Sequence, residues 1–438
     1  MTLEELTAAV EALQAAQAGA TTINMEVYYW WCIGLMIAIH AGFLGYEMGA
    51  SRMKNVLASG IKNILAFAFI IPTMYFFGWW LYLAMYNGVV PDFAAAAAGR
   101  PYDLAMGPNL ADQANGVFWG AFTLFSATVA SIFSGAVLER IRMGSFIVLA
   151  ILIGSVLWLI GASWGWHPDG WLVTEFGFHD VGAAGIVHVI AGFFALGVLI
   201  NLGPRVGRFN ADGSPNDLKP HNMPLTLLGL MIIIIGFFGF LGGCLIYDGD
   251  GNFTNIYGKP ATLSAFTFNT LMGFAGGIIG AYWRTKDPFW MMSGALAGIF
   301  SVAAGLDILD PSIAFVLGVV GGYIVPIFAG WLARFGIDDA VGAWAVHGVA
   351  GFWGLIACGV LASGYPGANP DIPSVSLFGQ LVGGVVLALL GFVPGYAVSL
   401  LLKAAGILRV PDHVQIKGLD PVKVPSHSYP EFGRSPAE

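Results

Sequence analysis

The chain has 438 residues, of which 57% are hydrophobic and only 10% are charged, and its formal net charge is −8. Soluble domains carry about 25% charged residues, so this composition excludes an ordinary soluble protein and indicates one embedded in a membrane. All three cysteines fall in apolar stretches without paired spacing, so we predict neither a disulfide framework nor a metal site.

Eleven apolar stretches are long enough to cross the hydrocarbon core of a bilayer, which requires about 20 residues. Because lipid offers no hydrogen-bond partner to open backbone, we predict that each stretch is helical, which gives an all-α integral membrane protein. In chain order the predicted spans are 27–49, 62–86, 115–138, 144–165, 183–203, 225–247, 263–283, 289–306, 311–333, 340–363 and 376–403.

Polar segments flank these spans at both ends of the chain. Residues 1–25 open with acidic side chains and lack the basic region of a signal peptide, so we predict a short amphipathic or frayed extracellular segment. Residues 26–403 then form the transmembrane domain. Residues 404–438 form a polar, proline-bearing cytoplasmic tail that is too short for a catalytic domain.

The positions of lysine and arginine predict how the chain is oriented. Of the 18 basic residues, all but Arg100 and Lys259 fall on one side when the eleven spans are threaded in order. Loops rich in lysine and arginine face the cytoplasm. We therefore predict an outside N-terminus and an inside C-terminus.

Two stretches, in the fifth and tenth predicted spans, are almost alike. "DVGAAGIVHVIAGFFAL" begins at Asp180 and "DAVGAWAVHGVAGFWGL" begins at Asp339, and each has a histidine eight residues after the aspartate. The two spans run in opposite directions, and eight helical residues cover about 12 Å, so both histidines approach the bilayer midplane from opposite faces. This predicts an inverted repeat of five plus five helices with one extra helix, a design found in transporters.

The two histidines, His188 and His347, are expected to be neutral, because charged side chains at membrane depth are costly. One interpretation is a pair of packed rings bonded to backbone carbonyls. A zinc site fits less well, since structural zinc needs four ligands and no further ligand lies nearby in sequence. The apolar surroundings disfavour a bare ion, so the pattern favours a path for a small neutral polar molecule, or for an ion that loses a proton on entry.

With these two stretches, further motifs resemble the ammonium transporter (Amt/Mep/Rhesus) family over nearly the whole chain. The resemblance implies a multi-pass plasma-membrane protein that forms homotrimers with one pore per subunit. In chain order the motifs are "GASRMKN" from Gly49, "GAVLERIR" from Gly135, "DVGAAGIVH" from Asp180, "KPHNMP" from Lys219, "GFFGF" from Gly236, "DDAVGAWAVHGVAG" from Asp338 and the tail "LRVPD…GLD" from Leu408.

The resemblance also implies roles for particular residues. His188 and His347 correspond to the twin pore histidines of the family, and Phe125 and Phe240 to its two gate phenylalanines. Asp180 corresponds to an acidic residue that supports the outer ammonium site without touching the cation.

The outer recruitment site is implied less uniquely. Trp166 in "SWGWHPDGW" is most similar to the site tryptophan, but the loop differs in length, so Trp164 and Trp171 remain alternatives. Cys244 stands where the family usually has a serine, and a thiol is the poorer hydrogen-bond partner. Phe122 is expected to replace a second vestibule aromatic.

Two departures concern the cytoplasmic side. Gly342 stands where the helix-ten motif often has an aspartate, and the tail lacks the usual His-Gly-Glu sequence. Asp338 and Asp339 are both expected to complement the dipole of the helix that follows them.

The leading hypothesis is transport of ammonium or ammonia, with no cofactor, no nucleic-acid partner and no enzymatic activity. The alternative is an ammonium receptor with little or no flux, which signals through the tail to a cytoplasmic regulatory protein. A neutral gas channel of the Rhesus type is less favoured, because the outer aromatic residues suggest that a cation is recruited.

Overall fold

A computed structural model describes residues 2–98, 114–248, 251–367 and 369–430 as a bundle of long helices. Arg100 and residues 431–438 of the tail lie outside the described residues. In chain order the helices are α1 Leu3–Ala50, α2 Met53–Ala84, α3 Phe93–Ala98, α4 Asn115–Ala136, α5 Met143–Gly165, α6 Trp171–Phe176, α7 Ala184–Leu202, α8 Met223–Gly242, α9 Leu263–Thr285, α10 Pro288–Ala303, α11 Pro311–Arg334, α12 Trp344–Leu361, α13 Leu377–Ala404, α14 Asp412–Lys417 and α15 Leu419–Lys423.

Among the described residues, ten helices are long and apolar enough to cross a membrane. The eighth predicted span, 289–306, coincides with α10, which has 16 residues. At 1.5 Å per residue α10 is about 24 Å long, shorter than a hydrocarbon core of about 30 Å. The predicted multi-pass helical architecture is confirmed, and the count of eleven spans stays a prediction.

The first helix extends much further than its apolar part. Although a short amphipathic or frayed segment was expected over 1–25, α1 is continuous from Leu3 to Ala50. A capping box joins Thr2 and Glu5, each bonding the backbone N–H of the other. The alanine-rich sequence that follows favours helix, so no break marks the expected boundary at residue 25.

A small antiparallel hairpin follows α8, and the all-α prediction did not include it. Strand β1, Leu245–Tyr247, pairs with β2, Phe253–Asn255, so that Leu245 lies opposite Asn255. The predicted span 225–247 therefore ends earlier, at Gly242. Two adjacent glycines end the helix, and a β-prone stretch follows them.

Helices α7 and α12, which carry the two similar stretches, begin in the same unusual way. Each starts with a π-helical turn that contains the histidine, Ala184–Val189 in α7 and Trp344–Val349 in α12. Left-handed residues precede both turns, Ala183 with φ 69° and Gly342 with φ 71°. The two local sequences thus produce similar backbone paths, with the π-helical turn shifted by one residue relative to the histidine.

Close helix packing brings these two turns together. Gly192 of α7 lies against the backbone of Gly348, and Gly351 of α12 lies against the carbonyl of Ala184, so a side chain at either glycine would collide with backbone. Small residues let helices approach closely in a membrane protein. Elsewhere α1 packs along α8, and α13 packs along α7.

The tail packs against the membrane domain. The Asp420 carboxylate accepts hydrogen bonds from the backbone N–H groups of Leu57 and Ala58 at 2.9 and 2.8 Å, which caps the first turns of α2. The N–H of Val410 donates to the carbonyl of Arg140 at 2.8 Å. The tail therefore connects the start of α2 to the loop between α4 and α5.

Candidate functional site

The two histidines meet inside the bundle. His188 is fully buried and His347 is 6% exposed, and their Nδ1 atoms are 3.1 Å apart, within hydrogen-bond distance. A neutral imidazole has one donor and one acceptor nitrogen. One ring must therefore carry its proton on Nδ1 and donate it, while the other accepts with a bare Nδ1. At most one ring of the pair can be charged while this bond exists.

One ring nitrogen of the pair has no hydrogen-bond partner in the part of the chain that the structure describes. Nε2 of His188 is buried and has no hydrogen-bond partner among the described residues. An unmade hydrogen bond at a buried group costs about 1–3 kcal/mol. A small polar solute that reached this nitrogen would make the missing hydrogen bond.

Aromatic rings lead away from the histidines in a continuous series. The Phe240 ring centroid lies 6.0 Å from that of His188, and Phe125 meets Phe240 edge-on at 4.4 Å. Trp166 in turn lies 5.2 Å from Phe125. All of these rings are nearly inaccessible to solvent. The structure therefore brings together both predicted gate residues, both histidines and one of the candidate tryptophans.

Of the three candidate tryptophans, Trp166 is the one whose ring contacts this series. Its indole nitrogen donates to the carbonyl of Asp180 at 2.7 Å, and its ring lies 6.4 Å from Phe122. Trp164 donates instead to the carbonyl of Gly88 and packs edge-on against Trp171.

Asp180 supports the site through the backbone. Its Oδ2 accepts hydrogen bonds from the N–H groups of Gly185 and Ile186, both at 2.8 Å, which caps the turn that carries His188. Its own N–H donates to the Tyr257 hydroxyl at 2.9 Å. Burial raises the pKa of Asp180 to about 6, although the N–H groups at the start of α7 favour the charged form.

Two departures from the family pattern, Cys244 and Gly342, have physical explanations. The Cys244 thiol donates a hydrogen bond to the carbonyl of Phe240, four residues earlier, at 3.4 Å. Its proton therefore already has an acceptor within the chain. At Gly342 the positive φ favours glycine, and an added Cβ would lie 2.8 Å from the ring of Trp290. The site therefore has no room for an aspartate at residue 342.

Sequence reasoning did not identify several further aromatic residues that touch this series or Phe122. Trp158 stacks on Phe125 at 6.2 Å, and Tyr82 lies 4.6 Å from Phe122. Phe300 of α10 stacks on His188 with ring centroids only 3.6 Å apart. None belongs to a motif quoted above, and only the long-range packing of the helices identifies them.

Asp338 and Asp339 have different roles, contrary to the expectation that both complement the helix dipole. Asp339 does accept from the backbone N–H of Trp344 at 2.8 Å. Asp338 instead accepts two side-chain hydrogen bonds from Arg205, at 2.8 and 3.0 Å. Burial disfavours its charge, but Arg140 and Arg205 outweigh this effect and hold the pKa of Asp338 well below its usual range.

Long apolar helices around buried aromatic rings and paired histidines define a multi-pass membrane protein with a polar pair inside its helical bundle. Residues 27–429 match the model of the Ammonium Transporter Family. The chain therefore belongs to this family, and it is a multi-pass protein of the plasma membrane. Family membership supports ammonium transport, and a transporter rather than an enzyme.

Individual relatives match this chain over most of their own length. The ammonium transporter Amt2 of Haloferax mediterranei is 31% identical over 445 residues, covering 97% of this chain and 95% of that protein. The ammonium transporter Amt2 of Archaeoglobus fulgidus is 29% identical, covering 92% and 87%. A solved structure described as a sensor Amt protein is 26% identical with a TM-score of 0.78, covering 92% of this chain and 98% of its own.

Proposed function

We propose that this protein moves ammonium nitrogen across the membrane along the series Trp166, Phe125, Phe240, His188 and His347. The observation that carries the proposal is the bond between Nδ1 of His188 and Nδ1 of His347, 3.1 Å long and buried directly beyond the phenylalanine pair. A hydrogen-bonded pair in an apolar setting suits a small solute that can both donate and accept.

The first step is capture of ammonium at the outer aromatic rings. A cation over an aromatic face gains about 0.5–2 kcal/mol, and Trp166 and Phe122 supply such faces. Asp180 holds the indole of Trp166 through its carbonyl oxygen, so the ring is preorganised. The Asp180 carboxylate contributes its negative charge from a distance, while its Oδ2 holds the backbone N–H groups of Gly185 and Ile186.

Passage of the gate then requires loss of a proton. Burying a bare ion among phenylalanine rings costs many kcal/mol, whereas neutral ammonia avoids that cost. Ammonium gives its proton to water on the outer side of Phe125 and Phe240, and ammonia continues along the histidines. A histidine pair can relay a proton. The number of charges moved across the membrane for each ammonia molecule therefore shows whether the proton crosses as well.

The wider architecture that we propose has eleven spans, an outside N-terminus and two inverted halves with one extra helix. Several features support it. The aspartate-to-histidine spacing, the π-helical turns and the left-handed residues recur in α7 and α12. "GFLG" also occurs in both α1 and α8, the first helices of the two halves. We further propose a homotrimer, with a cytoplasmic regulatory protein that binds the tail.

His188→Ala tests the pathway directly. We expect the ammonium-evoked current in proteoliposomes to fall, or its selectivity over potassium to be lost, because the hydrogen-bonding pair is gone. His40→Ala is the matched control, since His40 is another histidine in the apolar interior, bonded to Ser131 at 3.3 Å. Unchanged flux and unchanged selectivity in a folded His188→Ala protein would count against the histidine pathway.

An ammonium receptor is the second candidate function. The likeness to the sensor Amt protein over 92% of the chain favours it. In this case ammonium binds at the same outer rings and the tail reports it, with little or no flux. Binding without any ammonium-dependent current or uptake in liposomes would favour the receptor over the transporter.

A further inference from the structure

Phe300 lies directly on the histidine pair. It is fully buried in α10, its ring centroid is 3.6 Å from that of His188, and the two planes differ by 27°. The same ring lies 4.8 Å from His347. One phenylalanine therefore contacts both imidazoles, on a helix that belongs to neither similar stretch.

The separation of 3.6 Å leaves no room between the rings. Carbon atoms in van der Waals contact lie about 3.5–4.0 Å apart, so a molecule inserted between Phe300 and His188 would need about twice that spacing. Phe237 lies 5.6 Å from Phe300 and 6.1 Å from His188. With Phe240 at 6.0 Å, three phenylalanine rings surround the imidazole of His188.

The backbone that carries Phe300 is fixed by close packing. Gly354 of α12 lies against the carbonyl oxygen of Phe300 so closely that a Cβ at residue 354 would collide with it. Helix α10 therefore cannot shift at this level without moving α12, which carries His347. The Phe300 ring can leave the histidines only by rotation of its own side chain.

We propose that Phe300 is a plug that limits flux at the histidine pair. It stacks on the pair in the resting protein, and ammonia passes only when the side chain rotates away. Capture of ammonium at Trp166 does not need this rotation, so the protein binds its substrate more readily than it conducts it. This inference rests on the proposed function, in that the histidines line the path.

Phe300→Val tests the plug because it removes the flat ring and keeps an apolar side chain. We expect the maximal ammonium-evoked current per protein in liposomes to rise about tenfold, with apparent ammonium affinity changed less than twofold. Phe133→Val is the matched control, since Phe133 is equally buried but packs against Phe146 and Phe194. The control should leave the current unchanged.

A second, milder variant controls for misfolding of Phe300→Val. Phe300→Leu keeps more of the side-chain volume and should give an intermediate increase in current. If both variants are monodisperse and conduct no faster than the unmodified protein, or if Phe133→Val gives the same increase, the plug is wrong.

The double variant separates this inference from the proposed function. If Phe300 acts on the histidine path, the gain from Phe300→Val should disappear when His188→Ala is added. A gain that persists in the double variant contradicts the plug. The proposed function fails separately, if His188→Ala alone leaves flux and selectivity unchanged.

Discussion

At the scale of single residues, the hydrogen bond from the indole of Trp166 to the carbonyl of Asp180 orients the ring at which we propose that a cation is captured. Trp166→Leu removes an aromatic face worth about 0.5–2 kcal/mol, and we expect apparent ammonium affinity to fall about 2- to 30-fold. The maximal rate should change less, because the gate and the histidines remain. The measurement is the concentration dependence of the ammonium current.

Trp164→Leu is the control for this prediction, because Trp164 bonds to Gly88 and packs on Trp171. It should leave the affinity as it is. If Trp164→Leu weakened binding and Trp166→Leu did not, the recruitment site would involve the other tryptophan.

The residues of the candidate site differ in how far the sequence predicts them. His188 and His347 are predictable because the same spacing from an aspartate occurs twice in opposite spans. Phe300 is not predictable, because it is one of 32 phenylalanines and carries no motif. Its position on the histidines arises from the packing of α10 against α12, which a single sequence does not specify.

At the scale of elements, the Asp420 carboxylate joins the tail to the start of α2. Asp420→Ala removes both hydrogen bonds to that turn, and a lost cap costs about 0.5–2 kcal/mol. We expect the tail to detach more often, so limited proteolysis should cleave it faster than in the unmodified protein. The thermal unfolding midpoint of the membrane domain, measured without ammonium, should change less than the cleavage rate.

Asp412→Ala is a suitable comparison, because Asp412 belongs to the same tail but its side chain is 69% exposed. Surface ion pairs contribute about 0–1 kcal/mol to stability. Loss of the pair between Asp412 and Arg409 should therefore hardly accelerate cleavage of the tail. Equal cleavage rates for Asp420→Ala and the unmodified protein would show that the cap does not hold the tail.

The ends of several long apolar helices agree closely with the spans predicted from hydropathy. The predicted span 263–283 is observed as Leu263–Thr285, and 311–333 as Pro311–Arg334. The π-helical turns of α7 and α12 were not predicted, since hydropathy does not distinguish one helical form from another. Of the two alternatives for residues 1–25, a frayed segment does not agree with the continuous helix from Leu3, and hydropathy could not decide between them because this stretch lies outside any apolar window.

At the scale of the whole molecule, the Asp338 carboxylate joins three loops that are far apart in sequence. It pairs with Arg140 after α4, and with Arg205 and Arg208 after α7, while Asp338 itself precedes α12. Breaking a buried ion pair costs about 3–5 kcal/mol. We expect Asp338→Asn to lower the thermal unfolding midpoint clearly, whereas Asp217→Asn, at a largely exposed pair with Lys219, should not.

The pH dependence of this effect has a definite sign. Because the pKa of Asp338 is depressed in the folded protein, its stabilisation is fully present above the unfolded value of about 3.9 and is lost as the pH falls below it. The difference in unfolding midpoint between Asp338→Asn and the unmodified protein should be constant at neutral pH and shrink in acid. A difference that grew in acid would contradict this assignment.

The length of α1 has a consequence for how the protein can be approached. Trp30 and Trp31 are largely exposed and suit the membrane–water interface, and the helix continues from there to Leu3, about 40 Å away at 1.5 Å per residue. This part of α1 therefore extends as one continuous helix well beyond the two tryptophans. We expect a fluorophore or a rigid fusion at Leu3 to report on the molecule without touching the aromatic rings and histidines of the candidate site.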